Sequence, residues 1–484
     1  MRKGKSFFIL TLLLLNLFSM TIEGGAGDFY GVNLAKGFKD IKNHNPIITH
    51  KFTADPGLLE YNGFVFVYGT NDGSLEGYAP AKNEYSKITT INIMSSADLV
   101  NWSDHGTITV AGPNGIAKWA GNAWAPTACH KKINGKEQFF LYFANNARGI
   151  GVLVADSPTG PWRDPLGKPL ISRQTANSNV EWLFDPAVFV DNDGNGYLYY
   201  GGGVPAGKDA SPNTIRGVKL GNDMISIVGV PTNINPPWVF EDSGINRIGN
   251  TYFYSYCTNW SGGPLGNARI GYMTSSNPLG PYTYRGTCFN NPGDFFGTAG
   301  NNHHTIITFK GQNYIFYHAE WLNKQAYGSM LGYRTTHVDV MPVNGNTLGQ
   351  AKGTLSGVQQ LFNYNPYQTC FFHTMAWQGG VAVYGSGYPS VAFNRGDWIG
   401  VSNADFSSGA KSVTIKGGSV NGATVRISVD SPSGTVIGYV SVPATGDNYN
   451  HKEATGTIQN VWGVKNLFFV ASGDCVLSTY KFSS

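Results

Sequence analysis

The sequence is poor in charge. Asp, Glu, Lys and Arg make up 13% of its 484 residues, and the formal net charge is +4. Three of the positive charges, Arg2, Lys3 and Lys5, crowd at the N-terminus. The rest of the chain therefore offers no strongly basic field, and no nucleic-acid partner is expected. Cysteine is scarce and odd in number: Cys129, Cys257, Cys288, Cys370 and Cys475. No CxxC pair occurs, which argues against a thiolate zinc site. Amphipathic helical patterns are almost absent. Past residue 26 no apolar run is long enough to cross a bilayer as a helix.

What is abundant is glycine, at 63 residues, and aromatic residues, at 13%. That mixture suits strands and tight turns. The length exceeds one ordinary core, so two domains are expected. Residues 1–26 read as a secretory signal: a basic start, "MRKGK", an apolar run, "FFILTLLLLNLFSM", and small residues, "GGAG". The run is short for a membrane anchor, so an exported protein free of the membrane after cleavage is expected. Export would permit disulfides, with at least one cysteine left over. Two "NWS" sequons, at Asn101 and Asn259, are candidate glycosylation sites.

The chain repeats itself. Five aromatic strand signals recur: "NGFVFVYGT" (62–70), "EQFFLYFAN" (137–145), "NGYLYYGGG" (195–203), "GNTYFYSYC" (249–257) and "GQNYIFYHA" (311–319). An earlier short strand precedes each, carrying Asp55, Trp124, Asp185, Glu241 and His303 in turn, at spacings of 69, 61, 56 and 62 residues. A looser third element, as in "MSSADLVNWSDHG" and "TSSNPLGPYTYRG", reads as an outer-strand turn. A period near 60 with several strands per unit predicts an all-β fold whose first domain, residues 27–355, is a five-bladed β-propeller. The innermost strands of a propeller line one channel. The five marked residues should then meet at one end of it, and three of them are acids. Paired carboxylates around a sugar linkage can hydrolyse it, one as proton donor and one activating water. A third acid can hold the donor protonated by its charge. The pattern alone does not assign the roles.

The ordered set "ADPG", "WAP", "FDPAVF", "FEDSGI" and "NNHHTI" resembles glycoside hydrolase family 43, a group of inverting five-bladed propellers. The resemblance implies Asp55 as general base, Asp185 as the acid that orients and tunes its neighbours, and Glu241 as general acid. It also implies His303 near a calcium ion in the channel, with no cofactor needed for the chemistry itself. Trp124 is the expected stacking wall for a sugar ring. This sequence has an Asp after the Glu where many relatives have a small residue. The "NDPNG" and "EC" motifs of the invertase-like propellers are absent.

After a linker at 356–365 the blade repeat stops. Residues 366–484 show short alternating strands such as "SVTIKGG", "ATVRISVDS" and "NLFFVAS", the pattern of a β-sandwich. This part resembles carbohydrate-binding module family 6. Where that family binds a structural calcium, this chain has Phe371, Phe372, His373 and Ser478, so the ion is expected to be lost. Cys370 and Cys475, beside those changes, are candidates for a disulfide joining the first and last strands. In the sugar cleft, Asn448 with Tyr449 and Val476 replace the expected Trp and Asn. Taken together, the resemblances imply a secreted enzyme releasing α-L-arabinofuranose from arabinoxylan or xylan fragments of the plant cell wall. A β-xylosidase, or an enzyme doing both, is the alternative within the family. A non-catalytic sugar-binding propeller is the alternative outside it.

Overall fold

The computed structural model describes residues 25–484, apart from 76–80, 261–262, 388, 408 and 460. The expected leader falls almost wholly outside the described residues. The chain divides into two units. One runs from Phe38 to Gln359 and takes in a short segment beginning at Gly385; the other comprises residues 25–37, Gln360–Tyr384 and Pro389–Ser484. Among the described residues no helix is long and apolar enough to cross a membrane.

The first unit is a ring of five antiparallel sheets. Blade one holds β1 (Lys51–Tyr61), β2 (Phe64–Ser74), β3 (Thr90–Ser96) and β4 (Trp102–Thr109). Blade two holds β5 (Trp124–Ile133), β6 (Lys136–Ala144), β7 (Gly149–Ala155) and β8 (Ile171–Ser172). Blade three holds β9 (Ala187–Val190), β10 (Gly196–Gly201), β11 (Ile215–Leu220) and β12 (Ile227–Ile234). Blade four holds β13 (Val239–Ile248), β14 (Thr251–Thr258), β15 (Ile270–Ser275) and β16 (Thr283–Phe289). Blade five has three strands, β17 (His304–Phe309), β18 (Gln312–Ala319) and β19 (Thr335–Val340). The five aromatic signals are the second strands. Their Phe and Tyr side chains fill the layers between blades: Tyr68, Tyr142, Tyr199, Tyr254 and Tyr317 are all fully buried. Pro126 of β5 runs so close to β1 that a Cβ on Gly57 would lie 1.9 Å from its carbonyl oxygen, which only glycine permits.

The outer edge of blade five is finished by a side chain. The Asn45 carboxamide accepts from the Val338 amide and donates to the Val338 carbonyl, both at 2.8 Å, as a strand would. Blade one buries a charged cluster instead. Asp104, wholly buried, takes Lys51 Nζ at 2.7 Å and His50 Nε2 at 2.6 Å.

The second unit is a two-sheet sandwich. One sheet orders Trp377–Gly379, Trp398–Asp405, Val464–Ala471, Ala423–Val429 and Thr435–Val442. The other orders Ala382–Tyr384, Ser390–Phe393, Cys475–Ser483, Ser412–Gly418 and Lys452–Thr457. Phe372 enters the core between them, against the rings of Phe393, Phe469 and Tyr480. Residues 25–37 belong here and not to the propeller, which starts at Phe38 instead of 27. Thr424 donates to Asp28, Arg395 donates to the Tyr30 carbonyl, and Ala35 bonds to Gly396.

Cys370 and Cys475 do not form the expected disulfide; both are free thiols. The register explains why. Cys370 pairs with Tyr480, whereas Cys475 pairs with Phe393. Five residues of extended strand separate Cys475 from Tyr480, about 16 Å, far beyond the ~7 Å reach of a disulfide between Cα atoms. The two sequons are also unsuited to glycans. Asn101 and Asn259 are 4% and 3% exposed, and their amide nitrogens donate to Asp98 and the Asp209 carbonyl.

Candidate active site

Four inner strands open with the same irregularity. Asp55–Pro56, Ala125–Pro126 and Asp242–Ser243 each set two residues against one on the neighbouring strand, and Asp185–Pro186 take the matching place just ahead of β9, between the Gly201-to-Phe184 backbone bond and the Ala187–Tyr199 pair. The first residue of each pair has a positive φ: 50° at Asp55, 41° at Ala125, 47° at Asp185 and 69° at Asp242. Such bulges break the ladder and re-aim side chains. The strain of a left-handed non-glycine residue, repeated at one place, marks a working site.

The bulges surround a cavity of about 300 Å³. All five residues singled out from the repeat line it: Asp55, Trp124, Asp185, Glu241 and His303. The acids are 5%, 5% and 8% exposed in chain order. Arg334, Trp182 and Asn301 line it too and carry no repeat signal.

Asp55 is held ionised. Arg334 Nη1 donates to its Oδ1 at 3.0 Å and Thr70 Oγ1 to its Oδ2 at 2.7 Å. The Asp55 amide donates to His318 Nδ1, so the other ring nitrogen donates to the Asn301 carbonyl. Arg334 is itself fixed. Its Nε and Nη2 grip both Asp72 oxygens at 2.8 and 2.9 Å, and its guanidinium lies over the Tyr85 ring. Burial works against the charge on Asp55. The nearby Arg334, His303 and His318 outweigh it and hold the carboxyl far below the usual range.

The other two acids move the opposite way. Burial, then the charges of Glu241, Asp55 and Asp242, push Asp185 well above the ordinary carboxylate range. Burial, then Asp55 and Asp242, push Glu241 up to about 8, against the pull of Arg334 and an Asn301 hydrogen bond. Asp185 Oδ2 accepts the Asp242 amide at 3.0 Å, which favours its charged form. Glu241 Oε1 is buried without a hydrogen-bond partner among the described residues, which favours the neutral form. These contacts favour the neutral form at Glu241 more than at Asp185.

Asp242 is the residue that sequence reasoning passed over. Its Oδ2 takes the amide and Nδ1 of His304, whose Nε2 meets Ser255 Oγ at 2.7 Å. Its Oδ1 sits 3.2 Å from His303 Nε2 yet makes no hydrogen bond among the described residues. His303 Nδ1 faces Asp55 at 3.5 Å and Asp185 at 3.8 Å. No group of three or more His, Cys, Asp or Glu side chains is arranged to hold a metal among the described residues.

Comparison with known sequences agrees with this geometry. The profile described as glycosyl hydrolases family 43 matches residues 43–345. The chain belongs to glycoside hydrolase family 43. A second profile, carbohydrate binding module family 6, matches residues 373–484 of this family 43 enzyme. It is 44% identical to an arabinoxylan arabinofuranohydrolase of Bacillus subtilis over 92% of either chain. It is also 44% identical to the arabinoxylan arabinofuranohydrolase of Paenibacillus polymyxa, over 89% of this chain and 72% of that one. A crystal structure of a family 43 arabinoxylan arabinofuranohydrolase from Bacillus subtilis, in complex with cellotetraose, superposes with a TM-score of 0.89 at 42% identity. That match covers 94% of this chain and 99% of the other. The protein is a glycosidase of all-β architecture, a propeller followed by a family 6 module.

Proposed function

We propose that this enzyme releases α-L-arabinofuranosyl groups from arabinoxylan and its fragments, with inversion. The observation that carries the reading is the division of charge among three buried acids in one small cavity. Asp55 is held toward its ionised form and Glu241 toward its protonated form, while Asp185, pushed upward like Glu241, is anchored by the Asp242 amide. Asp55 takes a proton from water as that water's oxygen bonds to the anomeric carbon. Glu241 gives its proton to the glycosidic oxygen as the bond to that carbon breaks. A cavity near 300 Å³ is at the small end for ligand sites and suits one sugar ring at a chain branch or end. Trp124 and Trp182 supply apolar walls for that ring. The similarity to two arabinoxylan arabinofuranohydrolases supports arabinose as the sugar removed.

Calcium remains part of the proposal. Asp242 Oδ1, an oxygen lacking a hydrogen bond, and His303 Nε2 would be its protein donors, with water completing the shell. Bound there, the ion would supply a fixed positive charge. The leader and the cell-wall substrate support action outside the cell.

The test is purified enzyme with arabinoxylan, nitrophenyl α-L-arabinofuranoside and nitrophenyl β-xyloside. Free arabinose, released first as the β anomer by NMR, is the expected result. Xylose alone would replace the reading with a β-xylosidase. Binding without any release would leave a sugar-binding propeller.

A further inference from the structure

A second pocket, of about 470 Å³, opens on the face of the propeller that carries the acids. The segment leading into β9 contributes Arg173 and Glu181, the turn from β10 to β11 contributes Thr214, and the start of β11 contributes Arg216. Asp185 immediately precedes β9, and β10 runs antiparallel to β9, so both segments lie at the catalytic end of blade three. The two pockets share a wall. Trp182 lines the catalytic cavity while its neighbour Glu181 lines the second pocket. Ala147 lines the cavity while its carbonyl accepts from Arg173 Nη2 at 3.1 Å.

The second pocket is built around two guanidinium groups held only by neutral acceptors. Arg216 is 7% exposed. Its Nε donates to the Asn177 carbonyl at 2.6 Å, and its Nη1 to the carbonyls of Asn213 and Ile215. Its Nη2 makes no hydrogen bond among the described residues. Arg173 is fixed by the Asn179 side chain and by the carbonyls of Val180, Ala147 and Glu181. Neither makes an ion pair among the described residues, and Glu181 is the only acid lining the pocket. A charge buried without a counter-charge, as on Arg216, is costly, and a guanidinium fork is shaped for a carboxylate.

We propose that this pocket binds the carboxylate of a uronic acid unit on the same polysaccharide whose pentose occupies the adjoining cavity. The inference rests on the reading of the substrate as a xylan. It makes the enzyme prefer acidic, uronate-decorated arabinoxylan to the neutral polymer.

Two measurements test it. Arabinose release is followed on glucuronoarabinoxylan and on the same material after enzymatic removal of its uronic acids. Binding of a glucuronosyl xylo-oligosaccharide and of its undecorated counterpart is measured by calorimetry. The wild type should show a KM roughly tenfold lower on the acidic polymer, about the worth of one charge-assisted hydrogen bond, with kcat alike. Arg173→Gln and Arg216→Gln should erase that difference, so that each variant has the same KM on the acidic and the neutral polymer. Arg173 is exposed, so its variant keeps the test open if the Arg216 variant does not fold. Equal KM values and equal binding for acidic and neutral ligands in the wild type would overturn the inference. Absence of arabinose release from both polymers would instead strike the proposed function, and calorimetry would still decide this point.

Discussion

The Asp242 amide donates to Asp185 Oδ2 at 3.0 Å, so the bulge that opens blade four also grips the acid of blade three. Asp185 is therefore positioned by neighbouring backbone, whereas Asp55 is held by the side chains of Arg334 and Thr70. A bulge that shifted by one residue would lose both the Glu241 position and the anchor of Asp185.

Glu241→Gln keeps the shape of the site and removes its proton donor. Turnover of arabinoxylan should fall by about 10²–10⁴, the range for general acid catalysis. Nitrophenyl arabinofuranoside, whose leaving group needs little protonation, should lose much less. Initial rates on both substrates, with an unchanged melting curve, check this. Equal losses would mean that another group protonates the leaving oxygen.

The pH profile should follow the pair of shifted acids. Glu241 loses its proton as pH rises through about 8, so kcat/KM should decline on that alkaline side. Asp55 is held far below the usual range, so it stays ionised throughout the mildly acidic region. Arg334→Met removes the foremost group opposing burial, which raises Asp55. The acidic limb of that variant should move upward, and the alkaline limb should move upward too, because Arg334 also pulls Glu241 down. A variant with an unmoved acidic limb would show that Arg334 does not set the charge of Asp55.

Asp104→Asn should destabilise the propeller by roughly 3–5 kcal/mol, because Lys51 and His50 are left buried without their counter-charge. Burial opposes the charge on Asp104, but Lys51 and His50 hold its carboxyl far below the ordinary value. Its stabilising contribution is therefore complete above the ordinary Asp range and is lost as pH falls toward the depressed folded value. Denaturant titration at neutral and acidic pH measures both effects. The penalty of the substitution should shrink on acidification.

All five cysteines are buried thiols. Burial pushes Cys370 up to about 11 and Cys475 up to about 12, so neither is nucleophilic near neutrality. The native enzyme should resist a thiol reagent. In denaturant without reductant, every cysteine in the chain should react. A shortfall of two thiols, recovered by reductant, would restore the disulfide.

The sequence displayed the repeat because each second strand must bury aromatic residues between blades, and that need recurs with the period. It displayed Asp55 and Asp185 because a Pro follows each at its bulge. It misaligned the fourth blade. The residue equivalent to Asp55 and Asp185 is Asp242, whereas Glu241 stands one place earlier, as Trp124 does in blade two. A Ser replacing Pro, and an Ala replacing Asp, hid that register. The series "ADPG", "WAPT", "FDPA", "EDSG" contains the signal once the second letter is taken as the bulge. Arg334 carried no such mark, since its partner Asp55 lies 279 residues away and no local pattern reports that meeting. The disulfide failed for a similar reason: strand register, not nearness to altered positions, decides which side chains face each other.

Residues 25–37 pack on the sandwich although the whole propeller is spelled out between them and the rest of it. The Cys475–Ser483 strand, central in its sheet, follows the propeller in the chain. During synthesis residues 25–37 thus wait unpaired while the ring is made, and the module can close only once the Cys475–Ser483 strand has followed. Shortened proteins that stop at the domain border would carry that orphaned segment, so a stand-alone ring is best begun at Phe38.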